Sequence, residues 1–315
     1  MLMLSNPGLL ALLVVLAMVL DLLLGEARRW HPLAGFGNLA AWLERRLNCG
    51  NYRISKGLLA WSLMVLPPVF CAAAFCRLDL TVGARIGIAV HVLLLYFSIG
   101  LRSLHDHLLP IADSLDRHDL AQSRMLTARI VSRDTADADA PALAKAAVES
   151  LLENGNDAVF GALFWFVVAG GPGALMYRLA NTLDAMWGYR TARYLRFGRV
   201  SARIDDALNW LPARLTAASY ALLGQTGNAL HCWRTQAVNW PSPNAGPVMA
   251  AGAGALRRQL GGAASYSGVI EMRPPLGNGP AAAASDIRRA WRLVACTSLL
   301  WTAVIASAGM FWWLQ

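Results

Sequence analysis

Acidic side chains are scarce in this sequence, yet three of them recur at a helical interval in AVESLLENGND, residues 147–157. As a helix this segment places Glu149, Glu153 and Asp157 at i, i+4 and i+8 on one stripe, with Asn156 between them on the same face. Like charges at that spacing destabilise a helix by roughly 0.2–0.5 kcal/mol per pair, and an interior Gly155 adds about 1 kcal/mol. Two readings fit. Either a divalent cation or a cationic substrate group sits against the stripe, hard cations such as Mg²⁺ favouring carboxylate and amide oxygens, or the stripe is a solvated helix face.

Other polar groups form smaller sets. Arg129 and Arg133 in ARIVSRDT stand one helical turn apart and can grip a phosphate or carboxylate together, or form a solvated basic face. NTLDAMWGYR places Asn181 and Asp184 at i, i+3, ahead of Tyr189 and Arg190; helix capping explains one of the first two better than both. RIDDALNWLPAR repeats the theme with Asp205, Asp206 and Asn209, an amphipathic surface helix being the alternative. PSPNAG, with Asn244, and RPPLGNG, with Arg273, look like turns whose backbone N–H groups can form anion-binding nests. The histidines of LHDH diverge on a helix and make a poor metal pair. There is no G-x-x-x-x-G-K-[ST], no dinucleotide fingerprint and no G-x-S-x-G, so any nucleotide must be held without a P-loop.

The elements that carry these residues are mostly apolar. With 56% hydrophobic and 15% charged residues, the chain falls among integral membrane proteins rather than soluble ones. Its net charge of +9 then points to cytoplasmic loops, anionic lipid or an anionic substrate, and not to nucleic acid. Five cysteines without a C-x-x-C pair imply neither a disulfide framework nor a zinc site.

The expected fold is all-α, a single polytopic membrane domain over 1–315. Four clear transmembrane helices are expected near 9–24, 58–76, 82–101 and 293–314, with Pro67 and Pro68 inside the second. The first lacks a basic n-region and a cleavage site, so it reads as a retained span. Arg28, Arg29, Arg45, Arg46, Arg53 and Lys56 put the loop after it in the cytoplasm. Trp301, Trp312 and Trp313 suit interfacial anchors. The apolar run 158–184 is broken by Gly170, Gly171, Pro172 and Gly173, and arginines follow it, so a hairpin that dips in and returns is expected. Residues 208–223 read as a buried or re-entrant helix. Three cytoplasmic segments, 102–157, 181–209 and 225–292, would hold the active-site groups, the last as loops with short helices. A hairpin returning Asn181 and Asp184 to the side of the acid stripe favours the functional reading of that stripe.

The segments DLLLGEARRWHPLAGFG, VSRDT, AAVESLLEN, NTLDAMWGYR, DDALNWLPARLTA, SPNAG, RPPLGNG and DIRRAWRL, in this order over nearly the whole chain, resemble adenosylcobinamide-phosphate synthase, the membrane-bound CobD/CbiB family. Ala27 stands where that family often has proline, and Met249 where a glutamate is expected soon after SPNAG. The resemblance implies an ATP-dependent amide ligase in the bacterial inner membrane. It would join adenosylcobyric acid to (R)-1-amino-2-propanol or its O-phosphate through an acyl phosphate. Its partners would be those substrates, the lipid bilayer, and further copies of itself or other enzymes of the cobalamin pathway. Glu149, Glu153, Asp157, Asp184 and Asp205 would be the catalytic carboxylates, the first three holding Mg²⁺ on ATP. Arg129, Arg133, Arg190 and Arg273 would bind phosphates, with Asn154, Asn181, Tyr189, Asn209 and Asn244 completing the substrate site. Two other classes remain open: a membrane sensor similar to the ampicillin-resistance regulator AmpE, and a transporter, since acid near a broken helix also builds transport sites.

Overall fold

The computed structural model describes residues 6–26, 32–82, 84–266 and 268–313. Ala27, Arg28 and Arg29, and the side chains of Trp312 and Trp313, lie outside the described residues. The described chain forms α1 (Pro7–Leu24), α2 (Pro32–Leu47), α3 (Arg53–Val82), α4 (Ala84–Ser98), α5 (Leu101–Asp116) and α6 (Leu120–Ala128), followed by α7 (Ala140–Gly155), a π-helical turn (Asn156–Phe160), α8 (Gly161–Trp187), α9 (Arg199–Leu223), α10 (Thr226–Gln236) and α11 (Ala245–Leu256). Strands β1 (Leu260–Tyr266) and β2 (Val269–Leu276) come next, and α12 (Ala284–Trp313) closes the chain. Among the described residues, five helical stretches are long and apolar enough to cross a membrane: Pro7–Leu24, Arg53–Cys76, Arg85–Asp116, Ala140–Trp187 and Ala284–Phe311. The chain is an all-α polytopic membrane protein carrying one small β-hairpin. Two compact units divide it, one of Met1–Gly100, Gly161–Asn209 and Thr302–Gln315, the other of Leu101–Phe160 and Trp210–Trp301.

In the first unit, α1 starts where Asn6 accepts the Leu9 N–H at 2.9 Å and Pro7 occupies the first turn. Its interior face is Leu13, Val14 and Ala17. The break in α8 falls at Ala169 and Gly170, the latter at φ +67°, a conformation glycine adopts without steric cost. A Cβ on Gly161 would lie 2.1 Å from the Tyr177 ring. In one straight helix those residues would be about 24 Å apart, so the two arms of α8 fold back on each other. The Gly171 N–H, released by the break, donates to His91 Nδ1 at 2.9 Å; an apolar surrounding requires such a partner. Trp61, Met64, Leu183, Trp187 and Phe197 form the core beside these arms.

In the second unit, Asp139 caps α7 by accepting the Ala142 N–H at 2.9 Å. Leu143, Ala144, Val148, Leu151 and Leu152 bury the helix. All of α11 is buried, its small residues allowing close approach. β1 and β2 pair antiparallel, Leu260 opposite Leu276 and Tyr266 opposite Val269, with a bulge between Gly261 and Gly262. Asp134 Oδ2 accepts the Ser265 hydroxyl and the Gly268 N–H, both at 2.7 Å, and so fastens the hairpin to the 130s loop.

Four expectations change here. The segment 225–292 is not mainly loop but α10, α11 and the hairpin, and residues 32–47 are helical. Residues 273–276 of RPPLGNG lie in β2 and not in a turn; in a two-stranded sheet each strand is an edge, where Pro274 and Pro275 are tolerated. α6 ends at Ala128, so Arg129 and Arg133 do not share a helical face.

Candidate functional site

α7 carries the acid stripe as far as Gly155, and there the π-helical turn takes over. The wider turn breaks the i, i+4, i+8 register. Glu149 and Glu153 line one pocket of about 260 Å³, together with Arg133, Ser150, Asn154, Trp240, Met249, Tyr266 and Arg273. Asp157 does not line it; its Oδ1 accepts from the Asn156 amide at 2.9 Å. Among the described residues no three His, Cys, Asp or Glu side chains are grouped to hold a metal ion. The expected triad of Glu149, Glu153 and Asp157 is therefore not assembled.

Glu149 is 2% exposed and fully engaged. Its Oε1 accepts from the Gly261 N–H at 2.7 Å and from Arg273 Nη2 at 3.1 Å; its Oε2 accepts from Arg273 Nη1 at 3.0 Å and from Arg133 Nη2. Arg273 also donates Nε–H to the Gly262 carbonyl at 3.3 Å, and its guanidinium lies 5.5 Å from the centre of the Trp240 ring. Burial works against the charge of Arg273, but Glu149 more than offsets it and holds the guanidinium pKa above its usual range. A guanidinium has five N–H donors. Arg133 uses one here and Arg273 three, which leaves both with donors for an oxyanion. Glu153, by contrast, makes no side-chain hydrogen bond among the described residues, and Asn154 donates to the Ser150 carbonyl and hydroxyl at 2.9 and 3.1 Å.

The first unit holds a separate polar set. Asp205 is buried and accepts from Asn209 Nδ2 at 3.1 Å and Asn181 Nδ2 at 3.4 Å, while Tyr177 donates to Asn209 Oδ1 at 2.8 Å. Burial pushes the Asp205 carboxyl up to about 6 against the lowering effect of the two amides, and the adjacent Asp206 adds to the rise. Asp184 lies close over Gly188, and Tyr189 and Arg190 are exposed. Of the remaining expected site residues, Arg129 is exposed at the end of α6. Asn244 precedes α11 and accepts from Arg214 Nη1 at 2.8 Å in the second unit, outside the pocket lining.

The pattern that defines the CobD/Cbib protein family matches residues 14–294. The chain belongs to that family. A cobalamin biosynthesis protein CobD of Stutzerimonas stutzeri is 55% identical over 94% of this chain and 97% of its own length. Its counterpart in Chromobacterium violaceum is 50% identical over 95% and 97%, and that of Mycobacterium tuberculosis 38% identical over 88% of each. No solved structure matches.

Within this CobD/Cbib chain, the pocket suits Mg²⁺ only in one form. The acceptor positions of Glu149 are filled, so a metal would be held by Glu153, aided by the Asn154 amide oxygen. One or two carboxylates are what Mg²⁺ needs when phosphates and water complete its shell. Spacing singled out Glu149, Glu153 and Arg133, the family resemblance added Asn154 and Arg273 as expected site residues, and Ser150, Trp240 and Tyr266 were missed. Trp240 stands directly before PSPNAG, which is the one cue the sequence offered for it.

Proposed function

We propose that this chain acts in cobalamin biosynthesis as an ATP-dependent acid–amine ligase, joining adenosylcobyric acid to (R)-1-amino-2-propanol or its O-phosphate. Membership of the CobD/Cbib family and the names of its relatives support the pathway. The observation that carries the reaction class is the pocket in which Arg133 and Arg273, held on one carboxylate, keep unused N–H donors beside Glu153. Paired guanidiniums receive phosphate oxygens in the plane of their donors.

In this reading a substrate carboxylate oxygen attacks the γ-phosphorus of ATP, and the bond to ADP breaks. Arg133 and Arg273 stabilise the charge that gathers on the transferred phosphoryl oxygens. The neutral amine nitrogen then attacks the acyl carbon, the bond to phosphate breaks, and the surplus proton leaves on the phosphate. Mg²⁺ bound through Glu153 would neutralise phosphate charge. Trp240 and Tyr266 supply apolar faces for the flat base of the nucleotide. The pocket belongs on the cytoplasmic side of the bacterial inner membrane, where ATP is available.

Ligation by the purified protein in detergent, with ATP, Mg²⁺, adenosylcobyric acid and the amine, tests this. Wild-type protein is expected to form the amide, and Glu153→Gln to lose ligation while still inserting in the membrane. Full activity in that variant would remove Glu153 from the mechanism, and a wild type without product would end the ligase reading.

A further inference from the structure

Glu149 and Glu153 lie one turn apart on α7 and line the same pocket, but their surroundings differ. An ionised carboxylate offers about four lone-pair sites. Those of Glu149 are taken by the Gly261 N–H, two donors of Arg273 and one of Arg133. No acceptor position is left for a metal, a substrate ammonium or a moving proton. Arg133 and one nitrogen of Arg273 bind the same oxygen, Oε2, so their guanidinium ends lie side by side. Two cations would repel at that separation without the carboxylate between them. They also come from unconnected places, the loop after α6 and strand β2. One turn before Glu149, Lys145 donates to the carbonyls of Gly261 and Ala263 at 2.9 and 3.1 Å. Two side chains of α7 thus hold the Gly261 residue by its N–H and its C=O, and fix β1, the strand against which Arg273 of β2 is paired, opposite Gly262.

From this we infer that Glu149 is a positioning residue, which sets Arg133 and Arg273 as one paired receptor for the phosphates of a nucleoside triphosphate. The inference rests on the ligase reading and gives the conspicuous acid of the stripe an indirect part in it. Its charge makes the inference sharp. If Glu149 merely occupied the seat of the ligand, neutralising it would leave two uncompensated cations and ATP would bind more tightly. If it positions them, the same change loosens the pair and ATP binds less tightly.

Equilibrium binding of labelled ATP to the detergent-purified protein, alongside steady-state ligation, separates these outcomes. Glu149→Gln is expected to raise the Kd and KM for ATP by about tenfold to a hundredfold, the effect of losing charge-assisted hydrogen bonds. Over the same change kcat should fall as well, because the same pair stabilises the transferred phosphoryl oxygens, while KM for the amine should stay put. Glu149→Asp keeps the charge but shortens the reach, and is expected to raise the same constants by a smaller factor. An unchanged or lowered Kd for ATP in Glu149→Gln overturns the inference, as does a loss confined to kcat. Should Glu149→Gln fail to fold, Glu149→Asp with a wild-type Kd overturns it equally. A wild type that binds no ATP defeats the ligase reading itself.

Discussion

Gly155 ends the helix that carries Glu149 and Glu153, and helix propensity alone recommends replacing it. Alanine there would gain about 1 kcal/mol in an exposed helix. The packing reverses that sign. A Cβ on Gly155 would lie 2.4 Å from the hydroxyl oxygen of Tyr220 and 3.1 Å from a methyl of Val294. Tyr220 is fully buried, and its hydroxyl donates to the Leu152 carbonyl at 3.1 Å, so it has nowhere to retreat without losing that bond. Overpacking of this kind costs about 1–3 kcal/mol. With a contact this short the upper part of that range applies, and Gly155→Ala should destabilise the fold by about 1–2 kcal/mol net. Tyr220→Phe removes the obstructing oxygen and costs about 1 kcal/mol for its hydrogen bond. The two changes must then couple: the double variant should be more stable than Gly155→Ala alone, although each single change is harmful. Reversible unfolding of the four proteins in the same detergent measures the cycle. Additive losses, or a Gly155→Ala variant as stable as wild type, would refute the claim that Gly155 is required by the Tyr220 contact.

Further tests bear on the buried charges. Asp286, fully buried in the first turn of α12, accepts from Arg258 Nε at 2.6 Å, Arg289 Nη1 at 2.7 Å and the Ala283 N–H at 2.9 Å. Asp286→Ala should therefore cost about 3 kcal/mol in the same unfolding assay, at the low end for a broken buried pair because both arginines are partly exposed. For Asp205 the folded carboxyl titrates near 6, above its usual 3.8. A raised carboxylate pKa makes the folded state bind the extra proton, so stability should fall as pH rises from about 4 to about 6 and then level off. Unfolding midpoints across that window should show the decline in wild type and its absence in Asp205→Asn; an equal slope in both would assign the titration elsewhere.

Much of the membrane architecture was legible because apolar length is a local property. The runs that became α1, α3 and α12 needed only counting, and the Gly-Gly-Pro-Gly cluster marked where α8 leaves helical geometry. The segment 225–292 was not legible in this way. Its Ala, Gly and Pro content suggests loops, yet α11 is helical because small residues let it be buried on every side, a tertiary preference that no window of sequence displays. β2 carries two prolines and would be rejected as an interior strand; it survives as an edge paired only with β1. RPPLGNG therefore drew attention to Arg273, which does line the pocket, through the wrong local structure.

The site shows the same division at the level of single side chains. ESLLEN and DDALN look alike in sequence, each an acid near an amide on a helix, and each was read as a ligand-binding carboxylate. Their partners differ, and the partners are distant: Arg273 lies 124 residues from Glu149, and Asn181 lies 24 from Asp205. Glu149 is met by two guanidiniums and a backbone N–H, which fill its acceptors and convert it into a structural anchor for cations. Asp205 is met by two neutral amides, which satisfy its geometry but not its charge, and its carboxyl pKa is raised accordingly. Spacing along a helix can place an acid on a face, but whether that acid holds a ligand or holds the ligand's receptor depends on what the rest of the chain brings to it. That distinction is why Glu153, whose side chain makes no hydrogen bond among the described residues, rather than Glu149, is the one expected to meet the metal–nucleotide in the proposed reaction.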